Sequence, residues 1–203
     1  LKELSIDDKA FPPRQVLSWI SRRKNELVDP QAAEAQARFP HEKIYAACYK
    51  HYEEQLSRCS AFDFDDLLVK TVKLFKSNPE VHDRYARRIR WLLVDEYQDT
   101  NPMQYALIRQ LTAIHENVCC VGDEDQSIYA FRGADVRNIL DFSRDFSNAR
   151  VVKLEQNYRS TGRIIQSAAA VIANNEDRHE KTLWTENPEG QPIHVHSARD
   201  DRE

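Results

Sequence analysis

Residues Trp91-Leu92-Leu93-Val94 form an unbroken apolar run that ends abruptly in Asp95-Glu96. A continuous run of this kind, bounded by charge, reads as a strand of a parallel sheet buried on both faces. Val118 to Val121 repeats the pattern and ends in Gly122 and acidic residues, and Val151 to Leu154 reads as a third such strand. Helical patterns alternate with them. Asn101, Pro102 and Gln104 supply a cap, a first-turn proline and a capping-box partner for a helix with Met103, Leu107, Leu111 and Ile114 on its inner face. Further helices are expected over Val136–Phe146 and Gly162–Ala173. Alternation of strand and helix from residue 91 onward implies a three-layer α/β domain with a parallel sheet, in which ligands gather beyond the carboxyl ends of the strands. The unusual residues fall at those ends.

The chain ahead of residue 91 reads as helical. Pro12–Leu27 places Val16, Ile20 and Leu27 near helical spacing, with Arg22, Arg23 and Lys24 on the side expected to face solvent. Glu42–Leu56 carries Ile44, Cys48, Tyr52 and Leu56 at four-residue intervals. Asp63 is an N-cap with Asp66 three residues on, and Phe64, Leu67, Leu68, Thr71, Val72 and Phe75 form one apolar stripe behind it. Asn78-Pro79 stops that helix, and Glu80–Arg90 reads as another, with arginines outward.

Composition narrows the functional classes without choosing one. The 203 residues are 41% hydrophobic, with four glycines and eight prolines, a globular balance rather than a linker or a low-complexity one. A net charge of −4 gives no global field for nucleic acid, so any DNA contact must come from local basic and aromatic groups. Cys48, Cys59, Cys119 and Cys120 lack the paired short spacings of a zinc site and read as reduced core thiols of a cytoplasmic protein. No run is long enough to span a membrane, and the first residues, Leu1 to Lys9, are not signal-like. His194 and His196 share one face of an expected short strand without a third ligand nearby, and the Arg84, Arg87, Arg88 and Arg90 cluster reads as a solvated face.

An acidic pair at a strand end can hold Mg²⁺ and orient a hydrolytic water, yet two solvated acids in a turn explain Asp95-Glu96 equally well. Longer strings carry more information. Val94-Asp95-Glu96-Tyr97-Gln98-Asp99-Thr100-Asn101 is followed by Val121-Gly122-Asp123-Glu124-Asp125-Gln126-Ser127-Ile128-Tyr129-Ala130-Phe131-Arg132-Gly133-Ala134, and then by Leu154-Glu155-Gln156-Asn157-Tyr158-Arg159-Ser160-Thr161. In order and spacing these resemble motifs of the UvrD-like superfamily-one DNA helicases. Ala61 to Leu68 resembles that family's DNA-contacting segment, and Lys181 to Gly190 resembles the region after the third string.

The resemblance implies a partial P-loop NTPase (RecA-like) motor with a helical insertion: residues 1–60 the insertion, 61–155 the later part of the first motor domain, and 156–203 the start of the second. It implies ATP and Mg²⁺ as ligands, with Asp95 on the metal, Glu96 activating water, Gln98 linking the nucleotide site to its neighbours and Gln126 sensing the γ-phosphate. Arg159 would reach the γ-phosphate from the opposite domain and Tyr158 would stack on adenine. Tyr129 and Phe131, aromatic residues in a polar loop, are candidates for base stacking, and Arg132 for phosphate or nucleotide. Phe131 stands where the family usually has tryptophan. Phe64 fits both a DNA contact and the stripe of its own helix.

The string Gly-x-x-x-x-Gly-Lys-Ser/Thr, which cradles phosphates, does not occur in the 203 residues, and the chain does not begin with Met. The expectation is a piece of an ATP-dependent 3′-to-5′ helicase that works on single-stranded DNA and its junctions with duplex, in repair or replication and alongside the proteins of those processes. On its own the piece is expected to be inactive. Two alternatives stay open: a RecB-like helicase-nuclease subunit, and a non-enzymatic DNA-binding truncation.

Overall fold

The structure, a computed structural model, describes residues 1–175 and 178–197 and divides into two compact units, Leu1–Ile139 and Leu140–Glu203. The first unit opens with helices: α1 (Pro13–Asn25), α2 (Pro30–Gln36), α3 (Pro40–Arg58), α4 (Phe64–Ser77) and α5 (Pro79–Arg88). Helix α2 is absent from the sequence reading, although Asp29-Pro30 announces it. The Asp29 carboxylate accepts from the Ala32 amide and Pro30 sits at the first helical position. Val16, Ile20, Ala33, Ala46, Cys48 and Tyr49 form the core among α1, α2 and α3.

One residue of α1 departs from expectation. Lys24, read as solvent-facing, is only 1% exposed. It falls at i+8 from Val16 and i+4 from Ile20, so it continues their inward stripe. Its ammonium lies 2.6 Å from Glu53 on α3, and 2.7 Å and 3.0 Å from Asp63 and Asp66 at the start of α4. Burial by itself lowers an ammonium pKa, but the hydrogen bonds that Lys24 donates to these three carboxylates reverse this and hold it above the ordinary lysine range.

Helix α4 begins with the expected capping box, Asp63 accepting from the Asp66 amide at 2.8 Å. Its inner face is Asp66, Val69, Val72 and Phe75, with Val69 and Val72 packed on Met103. The apolar stripe read from the sequence is therefore rotated. Phe64 and Leu67 project into solvent, Phe64 at 91% exposure, because the carboxylates of the first turn point inward to Lys24.

Strand β1 (Leu92–Val94) pairs in parallel with β2 (Val118–Cys120), Leu92 opposite Val118 and Val94 opposite Cys120, with α6 (Pro102–Leu111) as the crossover. The capping box of α6 is present, the Asn101 side chain accepting from the Gln104 amide at 2.9 Å. The strands are not buried on both faces as expected. Leu92 and Val94 turn inward, but Leu93 is 78% exposed and Cys119 is exposed, since helices of this unit cover one face only. Cys59 is exposed as well, so two of the four free cysteines are not core thiols.

The expected helix over 136–146 is two short pieces, α7 (Arg137–Leu140) and α8 (Phe142–Asp145), separated at Asp141. No strand forms over 151–154. Val151, Val152 and Leu154 are exposed and find no partner strand among the described residues, and pairing is limited to the isolated bridge between Gln156 and Trp184. Helix α9 (Gly162–Ile172) follows, and His194 and His196 lie outside any strand. The expected 156–203 segment is described except at 176–177 and 198–203.

Candidate nucleotide and DNA site

Parallel pairing puts the carboxyl ends of β1 and β2 side by side, so two acidic segments distant in sequence share one edge. The pairing continues past the strands: the Val121 amide donates to the Val94 carbonyl at 2.8 Å and the Tyr97 amide to the Val121 carbonyl at 3.0 Å. Asp95 and Glu96 occupy the exposed turn that results. Glu96 has φ +49°, in the left-handed region that costs a non-glycine residue energy and that clusters at functional sites. The next residues form a short 3₁₀ turn, Tyr97–Asp99, in which Tyr97 and Gln98 are buried.

Gln98 joins the two strand ends. Its Nε2 donates to Glu96 Oε2 at 2.8 Å, while its Oε1 accepts from the Asp123 amide at 3.0 Å. Its backbone carbonyl accepts from the Ser127 hydroxyl at 3.3 Å. Gly122 makes this possible, because a Cβ there would stand 2.6 Å from Gln98 Oε1 and 3.1 Å from the Tyr97 amide nitrogen. Gln126 is exposed, its amide donating to Asp123 Oδ2 at 2.7 Å. Among the described residues, Asp95 accepts only from the neighbouring Glu96 amide, through Oδ1 at 3.0 Å, which leaves Oδ2 of this exposed side chain open. A cavity of ≈ 410 Å³ opens beside Asp95, Glu96 and Asp99, with Leu107 and Leu111 of α6 along its wall.

Farther along the same segment, Tyr129 and Phe131 lie with ring centroids 5.9 Å apart, and the Arg132 guanidinium sits over both, 4.9 Å from Tyr129 and 5.4 Å from Phe131. Phe131 is largely exposed, which leaves a ring face for a further planar group. In the second unit, Asn157 Oδ1 accepts from the amides of Arg159 and Ser160, and Asn187 Nδ2 donates to the carbonyls of Tyr158 and Ser160. These bonds hold the loop, so that the Tyr158 ring and the Arg159 side chain project outward. The structure thus brings Asp95, Glu96, Gln98 and Gln126 to one edge, while Tyr158 and Arg159 belong to the other unit.

Comparison with known families settles the chain's kinship. The model of the UvrD/REP helicase N-terminal domain matches residues 1–147, and that of the UvrD-like helicase C-terminal domain matches 152–203. The chain belongs to the UvrD/REP helicase family. Relatives in this family include the ATP-dependent DNA helicase PcrA of Staphylococcus aureus (strain Mu50 / ATCC 700699), 47% identical over 203 residues, all of this chain and 28% of the relative. PcrA of Bacillus subtilis (strain 168) is 49% identical over 193 residues, 95% of this chain and 26% of the relative. The chain therefore spans just over a quarter of the length of these UvrD/REP relatives.

Sequence reasoning overlooked two members of this arrangement. Gly122 enters the sequence reading only as the residue that ends the second apolar run, although its place directly after an apolar strand signals a close backbone approach. Asp123, which fixes the Gln126 amide, stands in the acidic run Asp123-Glu124-Asp125, and nothing in the spacing marks it out.

Proposed function

We propose that this chain supplies the metal- and water-handling part of the ATPase site of a 3′-to-5′ DNA helicase with a P-loop NTPase (RecA-like) motor, acting on single-stranded DNA and its junctions with duplex in repair or replication. Residues 1–60 are the helical insertion, 61–155 the later part of the first motor domain and 156–203 the start of the second. The observation that carries this reading is the Gln98 bridge, which ties Glu96 at one strand end to Asp123 at the other. Kinship with proteins named ATP-dependent DNA helicase supports it.

The donor set suits magnesium, which is held by one or two carboxylates together with waters and substrate phosphates rather than by a protein cage. Asp95, with an open Oδ2, is the residue to hold it, and the ion would neutralise charge developing on the β- and γ-phosphates of ATP. Glu96 accepts a proton from the attacking water, and Gln98 fixes the orientation of that carboxylate. Gln126 reads the γ-phosphate with an amide that can both donate and accept. Arg159 adds a fork of donors to the transferring group and Tyr158 stacks on the base. On the DNA side Phe64, Tyr129 and Phe131 present stacking surfaces, each worth roughly 1–3 kcal/mol per base, and Arg132 holds phosphate.

The test is ATP turnover with and without single-stranded DNA in the intact protein that carries this chain. We expect DNA-stimulated turnover that Glu96→Gln abolishes, and background turnover from the 203 residues alone. Unaltered turnover in Glu96→Gln, or turnover by the isolated chain, refutes the assignment. In anisotropy with labelled single-stranded DNA, Tyr129→Ala and Phe131→Ala should each weaken binding. Equal binding by all three proteins would sink the stacking role.

A further inference from the structure

We propose that Asn25, at the end of α1, is a positioning residue that couples the first turn of α4, which bears Phe64, to the segment that bears Glu96. The inference rests on the reading of Phe64 as a DNA contact and of Glu96 as the water-activating carboxylate.

Asn25 Nδ2 donates to Asp65 Oδ1 at 2.9 Å and to the Ser21 carbonyl at 2.8 Å. Its Oδ1 accepts from Asn101 Nδ2 at 2.8 Å. The amide cannot be turned over without loss, because a carbonyl and a carboxylate can only accept and both lie on the Nδ2 side. Asn25 therefore joins two groups, 40 and 76 residues away, in one fixed polarity.

Each end of this bridge is stiff. Asp65 directly follows Phe64, and the residues on either side of that pair, Asp63 and Asp66, are pinned to buried Lys24. Phe64 is thus the exposed ring of a turn whose three carboxylates are all held from within by α1. At the other end, Asn101 is the N-cap of α6 and immediately follows the segment Tyr97–Thr100, in which Tyr97, Gln98 and Thr100 are buried. That segment is locked by the Asp99 amide donating to the Glu96 carbonyl at 2.9 Å and by the Thr100 hydroxyl donating to the Tyr97 carbonyl at 2.7 Å. A base that presses on Phe64 and shifts this turn pulls on Asn101, and the locked segment carries the pull to the Glu96 backbone. Chains of packed and hydrogen-bonded contacts of this kind carry energetic coupling between sites.

Three variants separate coupling from mere support. Asn25→Ala removes the bridge. Asn101→Asp keeps the cap, since Asp and Asn cap equally well, but turns a donor into an acceptor facing Asn25 Oδ1. Asp65→Asn retains an acceptor oxygen and serves as the conservative control. In the intact protein that carries this chain, turnover without DNA and the melting temperature should stay near wild type for all three. The factor by which single-stranded DNA stimulates turnover should fall roughly five-fold in Asn25→Ala and Asn101→Asp, the equilibrium equivalent of about one hydrogen bond, and hold in Asp65→Asn. Wild-type stimulation in Asn25→Ala, with Phe64→Ala defective, overturns the coupling role and leaves the helicase reading standing. Loss of DNA-free and DNA-stimulated turnover in equal proportion overturns it too, by making Asn25 a support of the fold. Absence of any DNA stimulation in the wild-type protein removes the helicase reading itself.

Discussion

Replacing Lys24 by Met keeps most of the side-chain volume and deletes the charge, leaving Glu53, Asp63 and Asp66 facing one another around an apolar tip. Asp66 is as inaccessible as Lys24 and would keep only the longer pairing to Lys70 at 3.7 Å, so most of its charge is left uncompensated in a low-dielectric site, while the half-exposed Lys70 still reaches Glu53 at 3.0 Å. Breaking a buried pair by removing one partner costs about 3–5 kcal/mol, a large share of the total stability of a domain. With an m-value of about 2 kcal/mol/M, the urea midpoint at pH 7 followed by circular dichroism should fall by roughly 1.5–2.5 M. The pH dependence identifies the cause. Burial alone would raise the Glu53 and Asp63 pKa values, but hydrogen bonds from Lys24 hold both below the usual carboxylate range. Their contribution is present above the ordinary values near 4 and is lost as pH falls through the depressed ones. In Lys24→Met the Glu53 and Asp63 carboxylates lose those hydrogen bonds and take up protons more readily, so the gap to wild type should narrow between pH 7 and pH 4. The raised Lys24 value acts at the other end, its contribution being complete below the ordinary lysine pKa and lost only as pH rises through the higher folded one. Adding Asp66→Asn to Lys24→Met should recover part of the loss. A loss below about 1 kcal/mol, or one equal at pH 7 and pH 4, would refute the charge argument in favour of packing.

Gly122→Ala places a methyl group 2.6 Å from Gln98 Oε1, so it should displace the amide that orients Glu96 and lower turnover of the intact protein at least ten-fold with little change in melting temperature; unchanged turnover would remove Gln98 from its assigned role. Gly190 and Gly133 both have positive φ, but a Cβ on Gly190 meets the Thr161 side chain at 2.5–2.9 Å and one on Gly133 meets nothing within 4 Å. Gly133→Ala should then cost only the backbone penalty of about 1 kcal/mol, and Gly190→Ala clearly more, as read by denaturant titration. Burial pushes the Cys120 thiol up to about 12 and raises Cys48 above its usual value, whereas Cys59 and Cys119 are exposed. Mass spectrometry after brief iodoacetamide treatment at pH 8 should find Cys59 and Cys119 alkylated well before the other two.

Much of the helical framework was legible because its signals are local. Asp63 with Asp66, and Asn101 with Pro102 and Gln104, announce the starts of α4 and α6 through capping chemistry that acts within four residues. The apolar runs ahead of Asp95 and Gly122 likewise mark β1 and β2, and place the acidic strings at strand ends. The same reasoning failed at Val151–Leu154, since an apolar run becomes a strand only where another strand completes its hydrogen bonds, and none among the described residues does so. It failed again in the rotation of α4, where counting apolar residues could not reveal that three carboxylates of the first turn are the inward-facing ones.

What the sequence determined by itself is kinship, element order and the residues gathered at the strand ends, because motif strings, caps and apolar periodicity depend on near neighbours along the chain. Only the tertiary structure decided that Lys24 is buried, that Phe64 points outward and that Gln98 and Asn25 each bridge distant segments. A charged or amide side chain has the same local preferences whether it meets water or a partner, and the partners here lie as far as 76 residues away. Which one it meets is set by how the helices pack.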